Sequence, residues 1–286
     1  MAEIPDEHII EAIGRCRIVV RNGKVTEVSD PIIEDCPLAK RFAFPVPEIS
    51  RDAVKANIEH RIQAFGMCTP RREVVDTRDF VGFGASELLS FGIHAGILDA
   101  AVLACDGAGT VVATTPSLVQ GIGGRMSGLV RTVPYREVIE RITKNGGFVL
   151  DPEHARIDQP AGMVLAKSRG FCHIAVTVAT PDTAALIRRI HPDAFIVAVH
   201  TSGLSREEAE QLVNASDLVT SCASKPIREY AGKNALLQAG IAIPVFAMTP
   251  RAKELIIEKV RRSSEQVLIK PTRLPVKGDR EPSPLI

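Results

Sequence analysis

The stretch CHIAVTVATPDTAALIRRIHPDAFIVAVHTSGLSREEAEQLVNASDLVTSCASK, residues 172–225, decides the fold class. Three short runs rich in β-branched residues, at 172–178, 194–199 and 217–221, alternate with polar segments of helical length. Ile196-Val-Ala-Val199 is apolar at every position, as a strand covered on both faces must be. Pro181 stands where proline favours the first turn of a helix, and Ser205-Arg-Glu-Glu208 has the form of a capping box. Outward from this stretch the rhythm continues. Helices at about 134–144 and 158–169 bracket a strand at 147–150 on one side. On the other lie a helix at about 226–239, a strand at 243–248 and a helix at about 250–262. Such alternation predicts right-handed βαβ crossovers and an α/β fold with a mostly parallel sheet and flanking helices, in Rossmann-like layers.

An N-terminal β-hairpin and helix segment precedes this domain. Residues 6–14 are expected as a short helix. Asn22-Gly23, between two β-branched runs, is the signature of a type I′ hairpin, whose central residues both need positive φ. Ser50 is placed to cap a helix over 51–65 with Val54, Ile58, Ile62 and Phe65 on one face, and Gly66 to end it. A second helix is expected around 85–95 and a strand at 99–104. The organisation expected is therefore 1–84, hairpin and helix; 85–264, α/β domain; and 265–286, an extended Pro-rich tail, free or lying on a partner.

Composition excludes several function classes. Across 286 residues the formal net charge is +1, so nothing favours nucleic acid or an anionic membrane surface. Aromatic residues make up 4%, with no Trp, which weakens any scheme of base stacking. No apolar run approaches the roughly 18 residues that span a bilayer, and the acidic N-terminus is unlike a signal peptide, so a cytoplasmic protein is expected. Six cysteines are present, at 16, 36, 68, 105, 172 and 222, and none form C-x-x-C.

The candidate site follows from the parallel sheet, because ligands of open α/β sheets bind outside the carboxyl ends of the strands. Cys105, Asp106, Thr180, His200, Thr201, Ser202, Cys222, Ser224, Lys225 and Thr249 all fall just after expected strands. Ser and Thr there are also ordinary helix caps, the simpler reading for Thr180, Ser205 and Thr249. Cys and His are not favoured caps. Cys105, Asp106, His200, Cys222 and Lys225 are accordingly the catalytic candidates. The thiols admit three roles. Cys36, Cys68, Cys105 and Cys222 sit beside turn markers and could converge as ligands of zinc or an iron–sulfur cluster. Cys105 or Cys222 could serve as a nucleophile, activated by His200 or a helix N-terminus. Or they pack in the core, as free Cys commonly does. Cys16 and Cys172 adjoin strands and are read as packing. The glycine-rich segment Gly121-Ile-Gly-Gly-Arg-Met-Ser-Gly128 fits no standard nucleotide motif. A loop of that composition can offer backbone N–H groups to a small anionic ligand, with Gly121, Gly123, Gly124, Arg125 and Ser127 around it. His8, His60, His94, His154 and His191 show no ligand spacing and are read as surface or capping residues.

Glu7-His-Ile-Ile-Glu-Ala-Ile-Gly-Arg15, Phe65-Gly-Met-Cys-Thr-Pro70, Ile97-Leu-Asp-Ala-Ala-Val-Leu-Ala-Cys-Asp-Gly-Ala-Gly-Thr110, Gln120–Gly128 and Cys222-Ala-Ser-Lys225 together resemble the methanogenesis marker protein 8 family. The resemblance spans nearly the whole chain apart from the tail. It implies an archaeal cytoplasmic protein linked to methanogenesis, and carries over no reaction and no catalytic residue. Residues 86–102 are similar, over that short stretch, to the β-subunits of deazaflavin-reducing hydrogenases, which bind flavin and iron–sulfur clusters; their clustered C-x-x-C motifs are absent here. The leading expectation is a metal- or iron–sulfur-associated accessory or maturation factor, its partner a methanogenic redox enzyme or that enzyme's assembly complex. The alternatives are a thiol-dependent enzyme acting on a small anionic substrate, and a non-catalytic assembly partner that docks through its tail.

Overall fold

The computed structural model describes residues 5–125 and 128–286. The chain opens with strands β1 (Glu7–Glu11), β2 (Arg17–Arg21) and β3 (Lys24–Val28), followed by helices α1 (Arg51–Phe65) and α2 (Ala85–His94). Then come β4 (Ala100–Cys105), β5 (Gly109–Ala113), α3 (Pro116–Gly123), β6 (Gly128–Arg131), α4 (Arg136–Lys144) and β7 (Phe148–Val149). The rest alternates: α5 (Gln159–Ser168), β8 (Ile174–Val178), α6 (Pro181–Ile190), β9 (Phe195–Ala198), α7 (Arg206–Ala215), β10 (Leu218–Thr220), α8 (Lys225–Asn234), β11 (Leu237–Ala239), β12 (Val245–Ala247) and α9 (Pro250–Arg262).

The larger sheet has the order β11-β12-β10-β9-β8-β4-β5-β7. Its centre, β4, β8, β9 and β10, is parallel. Both flanks are antiparallel: β5 pairs with β4 and β7, and β12 with β10 and β11. The sheet is therefore mixed, a correction to the mostly parallel one expected. The cause at one flank is the Asp106-Gly107-Ala108 turn, where Gly107 (φ 81°) and Gly109 (φ 72°) reverse the chain at once. A connection that short can only make an antiparallel neighbour. At the other flank α8 stops at Asn234 and residues 237–239 form a strand, where a helix to 239 is expected.

Strand residues alternate between two cores. Ala101, Leu103 and Cys105 face a layer with Leu88, Leu118, Ile122, Ile142 and Leu255 from α2, α3, α4 and α9. Ala100 and Val102 face Met163, Ile187, Leu212 and Ile227 from α5 to α8. The result is three layers, helices on both faces of a sheet. Thr180, Ser205, Ser224 and Thr249 each cap the helix that follows, and Ser205 and Glu208 complete the capping box.

A second, antiparallel sheet has the order β3-β2-β1-β6 and packs its inner face on α1 through Ile10, Ile18, Val20, Val54, Ile58 and Ile62. Asn22 (φ 50°) and Gly23 (φ 67°) make the hairpin turn as expected. The helix expected at 6–14 is replaced by β1, whose alternate residues His8 and Ile10 are buried. The fourth strand, β6, arrives from between α3 and α4, so the small sheet draws on residues both before and after position 84. A shallow cleft between β3 and α1, lined by Val25, Thr26, Val28, Arg51, Asp52 and Lys55, carries none of the thiols. Among the described residues no helix is long and apolar enough to cross a membrane.

The tail is not a free arm. Pro275 lies against Gly232 of α8, and Val276 exchanges hydrogen bonds with the Gln238 side chain. Glu281 pairs with Arg228 at 3.3 Å. Ser283 and Ile286 bond to loops on either side, described below. Leu268 and Ile269, before the docked part, are exposed.

Candidate functional site

The carboxyl ends of β4, β9 and β10 carry Cys105, His200 and Cys222, and the surroundings of the three differ. At β4, Asp106 is wholly buried and accepts from Arg72 Nε (2.8 Å) and from the Cys68 amide (2.6 Å). Burial alone would raise its pKa, but the Arg72 guanidinium and the Cys68 N–H hold the carboxyl below the ordinary carboxylate range. Burial pushes the Cys105 thiol up to about 12 and the Cys68 thiol well above its ordinary value, with Asp106 adding to both. Thiols so placed stay protonated and inert at neutral pH. Their surroundings suit packing rather than nucleophilic attack.

Around this pair runs a chain of hydrogen bonds. The Gly107 amide donates to Thr132 Oγ1 (2.8 Å), Thr132 Oγ1 meets His8 Nδ1 (2.8 Å), and His8 Nε2 meets the Tyr135 hydroxyl (2.9 Å). Tyr135 donates to Asp6 (2.5 Å). With Tyr135 donating onward, a neutral His8 carrying its proton on Nε2 satisfies every link, and burial lowers the pKa of His8 accordingly. His8 is therefore a buried bridge between the two sheets, not a surface residue. Three guanidinium groups, Arg61, Arg72 and Arg125, surround the Phe65 ring at 5.0 to 5.8 Å.

The glycine-rich segment is helical where a loop is expected. Gly121 and Gly123 belong to the last turn of α3 and Gly124 follows as its C-cap. A helix C-terminus offers carbonyls rather than N–H groups. Consistent with that, the Gly121 carbonyl accepts from Arg72 and the Arg125 carbonyl from Arg61. Gly121 allows close backbone contact, because a Cβ there would lie 2.2 Å from the Val74 carbonyl oxygen. Arg125 is committed to Asp76 (2.5 Å) and Glu73 (3.2 Å). Ser127 lies outside the described residues.

At β10 the chain leaves the sheet through Ser221-Cys222-Ala223 and enters α8 with Ser224 as its cap. Cys222 has φ 43° and His200, at the neighbouring strand end, has φ 55°. Both are left-handed conformations that non-glycine residues rarely hold. The two turns are stitched together: Thr201 donates to the Thr220 carbonyl (2.7 Å), and the Ala223 amide donates to Ser202 Oγ (3.0 Å). His200 lies beside Gly128 of β6, with Glu11 as its charged neighbour. Lys225 opens α8 and is exposed. Arg228, 7% exposed, reaches back from α8 to donate to the carbonyls of Cys222 (2.9 Å) and Ala242 (2.8 Å). Cys36 and Cys222 are both half-buried, and both are electrostatic neighbours of Arg228. Burial pushes the Cys36 thiol up, and Cys222 adds to that push. Arg228 Nε and Ser221 Oγ are buried there with no hydrogen-bond partner among the described residues.

Electrostatically the four loop thiols divide in two, Cys105 acting on Cys68 and Cys222 on Cys36. Among the described residues no group of three or more His, Cys, Asp or Glu side chains is arranged to hold a metal ion. The four-thiol convergence expected from the sequence is not what the fold assembles. Arg72 and Arg228 carry the electrostatics of the two pairs. Neither has a local signature, since one is a loop arginine among several and the other an ordinary helix residue.

No solved structure matches the chain. An uncharacterized protein of Methanocaldococcus jannaschii is 40% identical over 284 residues, covering 98% of this chain and 100% of that protein. A family profile matches residues 8–261. The chain belongs to the family so matched, described as an uncharacterized protein conserved in archaea (DUF2099).

Proposed function

We propose that this protein is a cytoplasmic thiol-dependent enzyme of methanogenic metabolism, with Cys222 as its reacting group and a small anionic substrate. One observation carries the reading. Cys222 is held in a left-handed conformation at a strand–turn–helix junction, beside a buried guanidinium with an unused donor. Such backbone strain costs on the order of 1–3 kcal/mol and persists where the surroundings impose it, commonly at working sites. The amino end of α8 places positive potential at the turn, and Arg228, its charge shared with Glu281, adds the unused Nε–H donor that an anion could take. The methanogenic context rests on the family resemblance of the sequence.

The accessory-factor reading, with zinc or an iron–sulfur cluster, has less support. Cys68 and Cys105 are engaged in the Arg72–Asp106 network, which leaves Cys36 and Cys222 as half of a four-thiol set. The docking-arm reading has less support, since Val276 and Glu281 of the tail bond to Gln238 and Arg228 of their own chain.

Site-resolved alkylation tests the proposal. Iodoacetate is anionic and iodoacetamide neutral. The ratio of their rates at Cys222 should exceed the ratio at the exposed Cys172 by roughly tenfold, the scale of electrostatic focusing in a charged cleft. Equal ratios at the two thiols would remove the case for an anion site.

A further inference from the structure

The end of the chain bonds to both half-buried thiol loops at once. Ser283 donates to the Asp35 carbonyl (2.9 Å) and accepts from the Asp35 amide (3.0 Å), one residue from Cys36. Ile286 donates to the Ala223 carbonyl (2.8 Å) and accepts from the Lys225 amide (3.0 Å), on the far side of Cys222. Only Pro284 and Leu285 lie between these two clamps. Arg228 closes the circuit, with one arm on the Cys222 carbonyl and the other on Glu281, two residues before Ser283. A single four-residue strap therefore ties the Cys36 loop to the Cys222 turn, and Arg228 braces that turn against the strap.

We propose that Cys36 and Cys222 form a dithiol centre that reduces a low-molecular-weight disulfide, with Cys36 as the resolving thiol and the strap 283–286 holding the pair in reach. The inference rests on Cys222 being the reacting group. In the first step the Cys222 thiolate attacks one sulfur of R–S–S–R. A bond forms between Cys222 and that sulfur, the R–S–S–R bond breaks, and the leaving R–S⁻ takes a proton from solvent. In the second step Cys36 loses its proton to solvent and attacks Cys222 Sγ. The Cys36–Cys222 disulfide forms and the second R–S⁻ leaves and is protonated. Two electrons pass from the cysteine pair to the small disulfide, and two thiols are released. The division of labour follows from the site. Cys222 sits on the strained turn with Arg228 on its carbonyl, whereas Cys36 lies in the loop that the strap clamps at Asp35, where burial raises its pKa. The Cys68–Cys105 pair, wholly buried and without such a strap, is the internal control.

The test uses the full chain, reduced under anaerobic conditions and treated with hydroxyethyl disulfide, with intact mass and peptide mapping as readouts. The expected product has lost two hydrogens and maps to Cys36–Cys222, with Cys68 and Cys105 still reduced. Cys36→Ser and Cys36→Ala should each stop at a stable mixed disulfide on Cys222. A chain lacking residues 283–286 should still form the mixed disulfide but resolve it at least about tenfold more slowly, as expected when effective concentration falls. A wild-type chain that keeps its mixed disulfide on Cys222 overturns the dithiol centre and leaves the Cys222 reading standing. A wild-type chain in which Cys222 reacts no faster than Cys172 overturns both. The wild-type result decides without relying on the folding of any variant.

Discussion

Arg72 and Asp106 face each other with neither side chain reached by solvent, Nε to Oδ1 at 2.8 Å. The pair ties the loop after α1 to the end of β4. Breaking it leaves a buried charge without a counterpart, which typically costs about 3–5 kcal/mol, whereas replacing both partners with apolar groups can be nearly neutral. Arg72→Met should therefore lower the free energy of unfolding by about that amount, and Arg72→Met with Asp106→Leu should recover much of it. Urea unfolding followed by circular dichroism measures both. A double variant no better than the single would show that the Cys68 amide and the Arg72 donors, not the charge pairing, govern this locus.

Acid should destabilise the fold through its paired carboxylates. Asp217, fully buried, accepts from Arg188, Arg251, Thr249 and the Ile196 amide. Burial would raise its pKa, but Arg251, the Ile196 N–H and Arg188 bring it below the ordinary value, as Arg72 does for Asp106. A carboxyl with a depressed folded pKa contributes its stability above the unfolded value, near 3.9, and loses it as pH falls through the folded value. His8, kept neutral by burial, opens the acid decline as pH falls through the unfolded histidine value near 6.5, and these carboxylates steepen it below about pH 5. Asp217→Asn should lose about 2 kcal/mol or more at neutral pH and show a shallower acid decline. An unchanged acid limb would contradict the assignment.

The β4–β5 turn and the exit of α2 give a matched pair of glycine tests. Gly109 and Gly96 have nearly the same φ, 72° and 71°. A Cβ on Gly109 would lie 2.2 Å from the Ala155 carbonyl oxygen, while one on Gly96 meets nothing within 4 Å. Gly96→Ala should cost about 1–2 kcal/mol, the left-handed backbone penalty alone. Gly109→Ala should cost more than about 3 kcal/mol, since backbone must move as well. Thermal unfolding of the two variants should differ accordingly.

Relieving the strain at Cys222 should trade function for stability. Cys222→Gly removes the penalty of a left-handed cysteine at φ 43° and should stabilise the chain by roughly 1 kcal/mol. The same variant should have no disulfide-reducing activity. Cys222→Ser keeps the strain and should leave stability within about 0.5 kcal/mol of the wild type. A destabilised glycine variant would mean that the turn is at ease with its side chain.

Much of the fold is legible because its signals are local. Ser50 and Gly66 bracket α1 at the expected positions, the Asn22-Gly23 turn forms, and Thr180, Ser205 and Thr249 cap helices. The failures are those that distant partners decide. Residues 7–11 are too few to separate strand period from helix period, and their pairing with β2 and β6 settles it. No breaker separates Asn234 from Leu237, and pairing with β12 draws residues 237–239 into the sheet. For the site, strand-end placement locates Cys222 and His200. Its depth and charge come from Arg228 and the tail, whose contacts with Glu281, Asp35 and Ala223 have no local trace.

The fourth strand of the small sheet has a bearing on biosynthesis. Ile9, Ile10 and Glu11 pair with residues 128–131, so the growing chain carries β1 with one side unpaired until β6 has been made and delivered. An open strand edge invites pairing with other nascent chains. Glu7 and Glu11 stand at the two ends of β1, and Arg21 and Arg17 lie opposite them on β2. The waiting edge thus carries charge at both ends, the arrangement by which native sheets discourage edge-to-edge pairing.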